Sequence, residues 1–553
     1  MAPSNWKPTL RSVFCSALLA FFTFSSGAQM PGGVPGSSRA EEALHIIPGV
    51  NVTNPDLFQD ARLQEALVPS WFERGRPGAD ALLALKTLID AEAQGLNPQD
   101  YHVAELSRAF QQVAQGHAEP AIMAHMDDLL TEALVGYLRD LHHGRLDPNL
   151  LQHRFKAPPL STFDPRSVIA NARTAGRLAQ ALNDAVPKVP MYESLRATMN
   201  AYRAMGLPPA WQRALPALSA RALKPGDAYT GLATLAARLV ALGDLPSSTI
   251  VPALYEGALV DAVQRFQIRH GLDGDGVIGP TTLAQLEVTP PQRVRQMALT
   301  LERLRWTPLL YGPRMIVVNI PEFVLRAYET QSSRVKFDLE MRVIVGRALD
   351  TRTPIFLEDM RFIEFSPYWN VPRSIARSET LPKLRRDPAY FTHQGFEFVS
   401  QDGKIVHSLS SAAINAVERG QWRIRQRPGP RNALGDIKFI FPNDQNIYLH
   451  HTPAPELFSR VRRDFSHGCI RIDSPVQLAL FVLHDSPEWT EIRIDEAMKA
   501  GKSRTIKLEQ PIPVLIAYNT AVVKNGGKVY FYPDIYQQDA RLEQALLDVG
   551  RAH

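Results

Sequence analysis

Apolar residues recur at helical spacing through the first half of the chain. The runs at residues 81–85 (ALLAL) and 126–134 (MDDLLTEAL) are separated by loops rich in proline and glycine, a pattern typical of amphipathic helices. We therefore predict a helical domain over residues 56–227. A second, compact helical unit is predicted over residues 228–290, where Leu259, Val263 and Phe266 share one helix face ahead of a turn-rich stretch.

The pattern changes to that of β-strands near Tyr311. Short β-branched runs bounded by turn residues predict a sheet domain over residues 311–500. The predicted strands are residues 315–320, 343–346, 437–440 and 446–450. A mixed, basic stretch at about 370–432 interrupts the pattern and predicts an inserted subdomain.

Residues 501–553 predict a C-terminal hairpin and a helix. The two strands of the hairpin, 514–518 and 528–532, would flank a polar NGG turn. The predicted fold class is multidomain α+β, with helices first and a β-rich domain after them.

The first 28 residues have the pattern of a secretory signal. Lys7 and Arg11 precede an apolar run at 13–24, and the small residues SGA at 26–28 suit cleavage. The run is too short for a permanent membrane span, and an uncleaved anchor is the alternative. Residues 29–55, rich in proline, glycine and serine, predict a linker. Residues 1–28 are thus a predicted signal peptide, and the mature chain is expected to be exported.

Length and charge limit the classes of function. At 553 residues the chain exceeds one hydrophobic core, so several domains are expected. The formal net charge is +5, and removal of a leader carrying Lys7 and Arg11 lowers it to +3. A charge this small argues against nucleic acid as a partner.

Export changes the interpretation of the two cysteines. Cys15 lies inside the predicted leader, so Cys469 is the one thiol of the mature chain. A single thiol cannot close an intramolecular disulfide, and in an oxidising compartment it requires burial or a chemical purpose.

The chemistry-bearing stretch is IYLHHTPAPELFSRVRRDFSHGCIRIDSP at 447–475. Side chains alternate along a strand, so Tyr448 and His450 should share a face while His451 points away. Gly468 allows unusual backbone angles beside Cys469. An imidazole can convert a thiol to the nucleophilic thiolate, and both His450 and His467 are candidates for that base.

These motifs resemble the L,D-transpeptidase catalytic domain. The resemblance rests on YLH at 448–450, on SHGCIR at 466–471 and on the 19-residue spacing from His450 to Cys469. Further similar stretches are VVNIPEFVLRAY (317–328), VGRALDTRTPIF (345–356) and FSPYWNVPRSIA (365–376). The unit at 228–290 resembles a small three-helix peptidoglycan-binding domain. The whole resembles the large multidomain form from Gram-negative bacteria, with a cap inserted in the catalytic domain.

The resemblance implies roles for individual residues. Cys469 would be the nucleophile and His450 its general base. Tyr448 and backbone N–H groups around Gly468 and Cys469 would bind the developing oxyanion. Support of the turn or substrate would come from Ser466, His467 and Arg471. Trp369 and Trp422 are candidate cap contacts, and core packing is the alternative for both.

The implied reaction forms 3→3 cross-links in peptidoglycan. Cys469 would attack the third stem residue, release D-alanine and pass the thioester to the diaminopimelate amine of a second stem. No cofactor or metal is expected, and the implied location is the periplasm, with wall-synthesis proteins as candidate partners. Alternatives are hydrolysis of the thioester, as in an L,D-carboxypeptidase or wall-linkage hydrolase, a non-catalytic wall-binding protein, and a zinc site of His450, His467 and Cys469. The zinc site lacks an evident fourth ligand.

Overall fold

The computed structural model describes residues 70–73, 75–115, 119–151, 163–307, 313–331, 334–524 and 526–550. The predicted signal peptide and linker lie outside these described residues. The predicted fold class, multidomain α+β, is confirmed, because helices occupy the first part of the described chain and sheets follow.

Ten helices are described before the main sheet. A two-stranded ribbon, β1 (Phe72–Glu73) and β2 (Arg76–Pro77), precedes them. The helices are α1 (Ala79–Ile89), α2 (Val103–Ala114), α3 (Pro120–His143), α4 (Pro165–Thr174), α5 (Leu178–Asp184), α6 (Pro190–Met205), α7 (Leu232–Ala241), α8 (Ala258–Arg269), α9 (Pro280–Glu287) and α10 (Pro290–Trp306). Helices α1–α5 enclose one apolar core and α7–α9 enclose another.

Helix α10 connects the helical part to the sheet. It begins with a capping box in which Thr289 and Gln292 satisfy each other's backbone N–H groups. Its last residue, Trp306, packs against Gly144 at the end of α3, where a Cβ atom would lie 2.3 Å from the indole nitrogen. Only glycine fits there, and its φ of +82° favours glycine as well. The two helices can therefore approach closely.

The main sheet has nine strands in the order β13-β5-β14-β12-β11-β6-β15-β3-β4. These strands are β3 (Arg314–Asn319), β4 (Val324–Gln331), β5 (Arg334–Gly346), β6 (Phe356–Phe365), β11 (Ile437–Ile440), β12 (Leu449–His450), β13 (Asp464–Ser466), β14 (Ile470–Ile472) and β15 (Arg504–Ala517). Helices α15 (Pro475–Val482) and α16 (Glu491–Lys499) pack on the same apolar core. The strand prediction for 437–440 is confirmed, whereas the one for 446–450 is too long because 443–446 forms a turn.

The insertion has a sheet and a core of its own. Its strands, in the order β7-β10-β8-β9, are β7 (Trp369–Asn370), β8 (Phe396–Val399), β9 (Ile405–Val406) and β10 (Arg423–Gln426). Its helices are α11 (Arg373–Ile375), a π-helical turn (Ala376–Thr380), α12 (Leu381–Arg386), α13 (Ala389–His393) and α14 (Ser411–Glu418). Apolar residues from these elements form a separate core. We call this segment, residues 369–426, the cap.

The predicted C-terminal hairpin is wrong in one of its two strands. The strand at 529–531 pairs with Ala521–Val523, so these form the hairpin β16 (Ala521–Val523) and β17 (Val529–Phe531). Residues 514–517 belong instead to β15, between β3 and β6, where they are buried on both faces. An unbroken apolar run is the pattern of such a central strand. A last helix, α17 (Gln538–Gly550), follows.

Candidate active site

Parallel pairing of β12 and β14 brings the two halves of the motif together. Leu449 lies opposite Ile470, and His450 lies opposite Arg471. The Ile470 N–H donates to the Tyr448 carbonyl over 3.1 Å, which places Tyr448 beside Cys469. The rings of Tyr448 and His450 lie 5.7 Å apart on one face, as the alternation predicted.

The Cys469 thiol contacts Tyr448 and a backbone carbonyl. Its sulfur lies 3.6 Å from the carbonyl oxygen of Asn446, to which the thiol donates, and it hydrogen-bonds with Tyr448. Burial raises the pKa of the thiol, although Tyr448, Lys438 and Arg471 act in the opposite direction. In this site, therefore, the sulfur is a protonated thiol at neutral pH.

His450 is buried and is oriented by the backbone. Its Nδ1 lies 2.5 Å from the carbonyl oxygen of His451. A carbonyl only accepts, so Nδ1 carries the proton of the neutral ring. Burial lowers the pKa of His450 to about 3, and the positive charges of Arg471 and Lys438 add to this effect. The ring is thus a neutral base that a backbone carbonyl orients.

His451 points away from this face. Its Nδ1 lies 3.4 Å from an Asp436 carboxylate oxygen, and its ring packs on Gly435. The Cys469 thiol hydrogen-bonds with Tyr448, and the positive charge of Arg471 acts on both Cys469 and His450.

Ser466 fixes the turn before the nucleophile. Its hydroxyl accepts from the Gly468 N–H over 3.1 Å and donates to the Cys469 carbonyl over 2.5 Å. Gly468 has a φ of +115°, which side chains other than glycine rarely adopt. The Gly468 N–H, one of the expected oxyanion donors, is therefore already used inside the turn.

Two threonines that sequence reasoning missed support the same turn. Thr353 donates to the Gly468 carbonyl over 2.7 Å, and Thr351 donates to the Ser466 carbonyl over 3.0 Å. Both follow Gly346 in the VGRALDTRTP stretch. A Cβ on Gly346 would lie 2.0 Å from the Thr351 carbonyl oxygen, so only glycine lets this loop fold back.

His467 connects the turn to the cap. Its Nε2 lies 2.5 Å from a carboxylate oxygen of Glu379, in the π-helical turn. Both side chains are about one-third exposed, at 29% and 36%. Glu379 was not predicted from the sequence, because 88 residues separate it from His467 and nothing in its local pattern marks it.

Lys438 is a further residue that was not predicted from the sequence. It lies opposite His450 across β11 and β12, and its Nζ is 3.9 Å from the centre of the Tyr448 ring. The sequence does mark Lys438 as unusual, because it is the charged member of an otherwise apolar strand. Strand pairing was needed to place it beside the thiol.

The remaining predicted residues have different surroundings. The Nε of Arg471 is buried and has no hydrogen-bond partner within the described ranges. Trp369 and Trp422 both pack against the core of the cap. Trp422 also lines a cap cavity of about 380 Å³ together with Arg373 and Arg423.

The described part of the chain contains no group of three or more His, Cys, Asp or Glu residues suited to holding a metal ion. None of its helices combines the length and apolar character needed to cross a bilayer.

Comparison with known families decides the assignment of the sheet domain. Residues 313–494 match the family model described as the L,D-transpeptidase catalytic domain. Residues 313–494 are thus a domain of the L,D-transpeptidase catalytic type. Residues 230–286 match a "Putative peptidoglycan binding domain", and residues 63–199 match a "Scaffold domain". The resemblances stated from the motifs are thereby confirmed at the level of the domains.

One curated relative has a matching description. A curated protein of Haemophilus influenzae described as "Putative L,D-transpeptidase" is 33% identical over 251 residues, which cover 45% of this chain and 49% of that protein. The chain thus spans about half the length of the curated relative it matches.

Solved structures give weaker matches. An L,D-transpeptidase from Xylanimonas cellulosilytica is 13% identical, with 55% of this chain and 100% of that one covered and a TM-score of 0.16. A fused zinc-dependent amidase, peptidase and peptidoglycan-binding protein from Clostridium acetobutylicum is also 13% identical, with 54% and 99% covered and a TM-score of 0.17. TM-scores this low do not establish a shared fold.

Proposed function

We propose that this chain is an L,D-transpeptidase of the periplasm that forms 3→3 cross-links in peptidoglycan through a thioester on Cys469. The observation that carries the proposal is the position of Cys469, inside the matched catalytic domain, in a turn fixed by Ser466 and beside Tyr448. The predicted signal peptide supports export, and the matched wall-binding domain supports the substrate.

Acylation begins with a neutral thiol and a neutral imidazole. His450 takes the thiol proton as Cys469 attacks the carbonyl carbon of the third stem residue. Because the cations Arg471 and Lys438 disfavour a protonated His450, the proton moves on to the departing amine rather than resting on the ring. Breaking the bond releases D-alanine and leaves the thioester.

The oxyanion is stabilised by donors that the turn leaves available. Since Ser466 engages the Gly468 N–H, the donors are the Cys469 N–H and the Tyr448 hydroxyl. A donor of this kind contributes about 3–4 kcal/mol in comparable acyl-transfer sites. The buried, unpartnered Nε of Arg471 suits a carboxylate of the donor stem.

Transfer requires that the diaminopimelate amine of a second stem reach the thioester before water does. The cap favours this outcome because Glu379 contacts the turn that carries the nucleophile, so the cap covers one side of the site. We also propose the matched scaffold domain as the surface for wall-synthesis proteins.

Product analysis distinguishes the proposal from its rivals. The mature protein and a Cys469→Ala control are incubated with disaccharide tetrapeptide, and the muropeptides are separated and weighed by mass spectrometry. The proposal predicts 3→3 dimers and free D-alanine from the wild type alone. Free tripeptide without dimers would identify an L,D-carboxypeptidase, and unchanged substrate would leave a wall-binding protein.

A further inference from the structure

Four charged or titratable side chains form a row across the sheet beside the nucleophile. Glu364 on β6 lies opposite Lys438 on β11, Lys438 lies opposite His450 on β12, and His450 lies opposite Arg471 on β14. Directly paired residues on neighbouring strands project from the same face. The row therefore shares a face with Tyr448 and Cys469, which directly precede β12 and β14.

Lys438 occupies a position that needs explanation. Its side chain is partly buried, which costs free energy for an ammonium group unless it is compensated. Compensation comes from the Glu364 carboxylate opposite it and from the face of the Tyr448 ring, 3.9 Å from Nζ. An ammonium ion needed only for packing could be replaced by an apolar side chain of the same length.

The contact with Tyr448 links Lys438 to the nucleophile. Tyr448 hydrogen-bonds with the Cys469 thiol, so a cation over its ring withdraws electron density from the phenol and strengthens the hydroxyl as a donor. The same cation attracts negative charge on the sulfur directly, since Coulomb interactions are strong in a partly desolvated site.

We propose that Lys438 is a positioning residue for acylation, which holds Tyr448 on the Cys469 sulfur and stabilises negative charge there and on the oxyanion. The proposal rests on Cys469 being the nucleophile, as in the proposed function. Lys438 and Arg471 would together favour the thiolate and keep His450 neutral, while Glu364 retains the charge on Lys438.

The other charged groups around the thiol determine how the pKa values of Cys469 and His450 should change when the Lys438 charge is removed. Tyr448 and Arg471 also face Cys469, and Arg347 faces Arg471. Removing the Lys438 charge leaves these groups in place, so the pKa values of Cys469 and His450 should both rise. A purely structural role of Lys438 predicts no such paired shift.

The test compares Lys438→Met, which keeps an apolar stem of similar length, with Lys438→Arg, which keeps the charge. Lys507→Met, at an exposed lysine on β15, is the matched control. Cys469 alkylation by iodoacetamide is followed against pH by mass spectrometry of the Cys469 peptide, and single-turnover acylation is measured with disaccharide tetrapeptide.

We expect Lys438→Met to move the alkylation midpoint upward by about one pH unit, the shift that corresponds to a tenfold change in ionisation. Acylation at pH 7 should fall at least about tenfold. Lys438→Arg should keep most of the wild-type alkylation midpoint and acylation rate. Lys507→Met should match the wild type in both quantities. A folded Lys438→Met protein with the wild-type midpoint and rate would overturn the proposal.

A second variant covers the case in which Lys438→Met does not fold. Lys438→Gln then replaces it, and a wild-type alkylation midpoint in Lys438→Gln also overturns the proposal. Alkylation needs no peptidoglycan, so it tests Lys438 independently of the proposed function. If the alkylation midpoint shifts in Lys438→Met but the wild type shows no acylation, the proposed function is refuted. The electrostatic role of Lys438 is then still supported.

Discussion

Gly468 shows how one backbone angle controls the chemistry at Cys469. The turn points the thiol toward Asn446 and Tyr448 while Ser466 and Thr353 hold its peptide groups. A side chain at Gly468 would have to adopt a φ of +115° and would contact Ile447 at 3.3 Å. The turn would relax and move the sulfur.

Gly468→Ala should therefore abolish acylation while the protein stays folded. Strain at such a position costs about 1–3 kcal/mol, which a domain of this size tolerates. Gly501→Ala is the matched control, because Gly501 also has a positive φ (+63°) but has open space around it. Single-turnover acylation and thermal unfolding are measured for both. Equal activity of the two variants would mean that the turn geometry does not position the nucleophile.

Among the elements, the π-helical turn of the cap has the clearest consequence for the site. It directs Glu379 at His467, two residues before the nucleophile. Extra-residue turns of this kind often occur at functional sites. Because both side chains are about one-third exposed, their interaction is weak, and it acts on cap docking rather than on overall stability.

Glu379→Gln should loosen the cap from the catalytic turn. An exposed pair of this kind contributes at most about 1 kcal/mol, so kcat/KM should fall about three- to fivefold. Amide exchange at 466–469 should become faster. Glu418→Gln, which breaks the pair with Arg385 elsewhere on the cap, is the control. In a His467→Gln background, Glu379→Gln should not lower kcat/KM further. If it lowers kcat/KM there as much as in the wild type, the contact between Glu379 and His467 is not the cause.

The sequence predicted the elements whose patterns are local. Strand alternation placed Tyr448 and His450 on one face, and the apolar pattern at 437–440 marked a strand. Non-local pairings were not predictable in this way. The apolar run at 514–517 has the same local appearance as a hairpin strand, and only its burial between β3 and β6 distinguishes it. Lys438, Thr353 and Glu379 likewise depend on strand register or on a contact between distant segments.

For the molecule as a whole, two buried neutral imidazoles make stability depend on pH. Burial lowers the pKa of His450 to about 3 and holds the pKa of His270, between α8 and the C-terminal hairpin, well below its usual value. Unfolded histidines take up protons near pH 6.5, whereas these two resist protonation in the folded state. The contribution of these two histidines to the free energy of unfolding is thus complete above about pH 6.5, and it is lost as the pH drops toward 3.

The denaturant midpoint should decrease between pH 7 and pH 5. Each such histidine contributes a slope of about 1.4 kcal/mol per pH unit below 6.5. His450→Gln should flatten the dependence, whereas His393→Gln, at an exposed position of the cap, should not. Urea unfolding followed by circular dichroism at several pH values measures this, and parallel curves for all three proteins would contradict the buried neutral state of His450.

The cap has a local excess of positive charge. Residues 369–426 contain nine Lys and Arg against five Asp and Glu, a net charge of +4 beside the proposed site. Peptidoglycan stems carry several carboxylates, so this surface would concentrate the anionic substrate around Cys469.

The central claim is that Cys469 carries the acyl group, and intact-protein mass spectrometry tests it most directly. The mature protein is mixed with disaccharide tetrapeptide, quenched in acid within seconds, weighed and digested to locate the modification. We predict an adduct with the mass of the disaccharide tripeptide on the Cys469 peptide, which is absent from Cys469→Ala. Cross-linked product formed by the wild type without any adduct, or formed equally well by Cys469→Ala, would contradict the account.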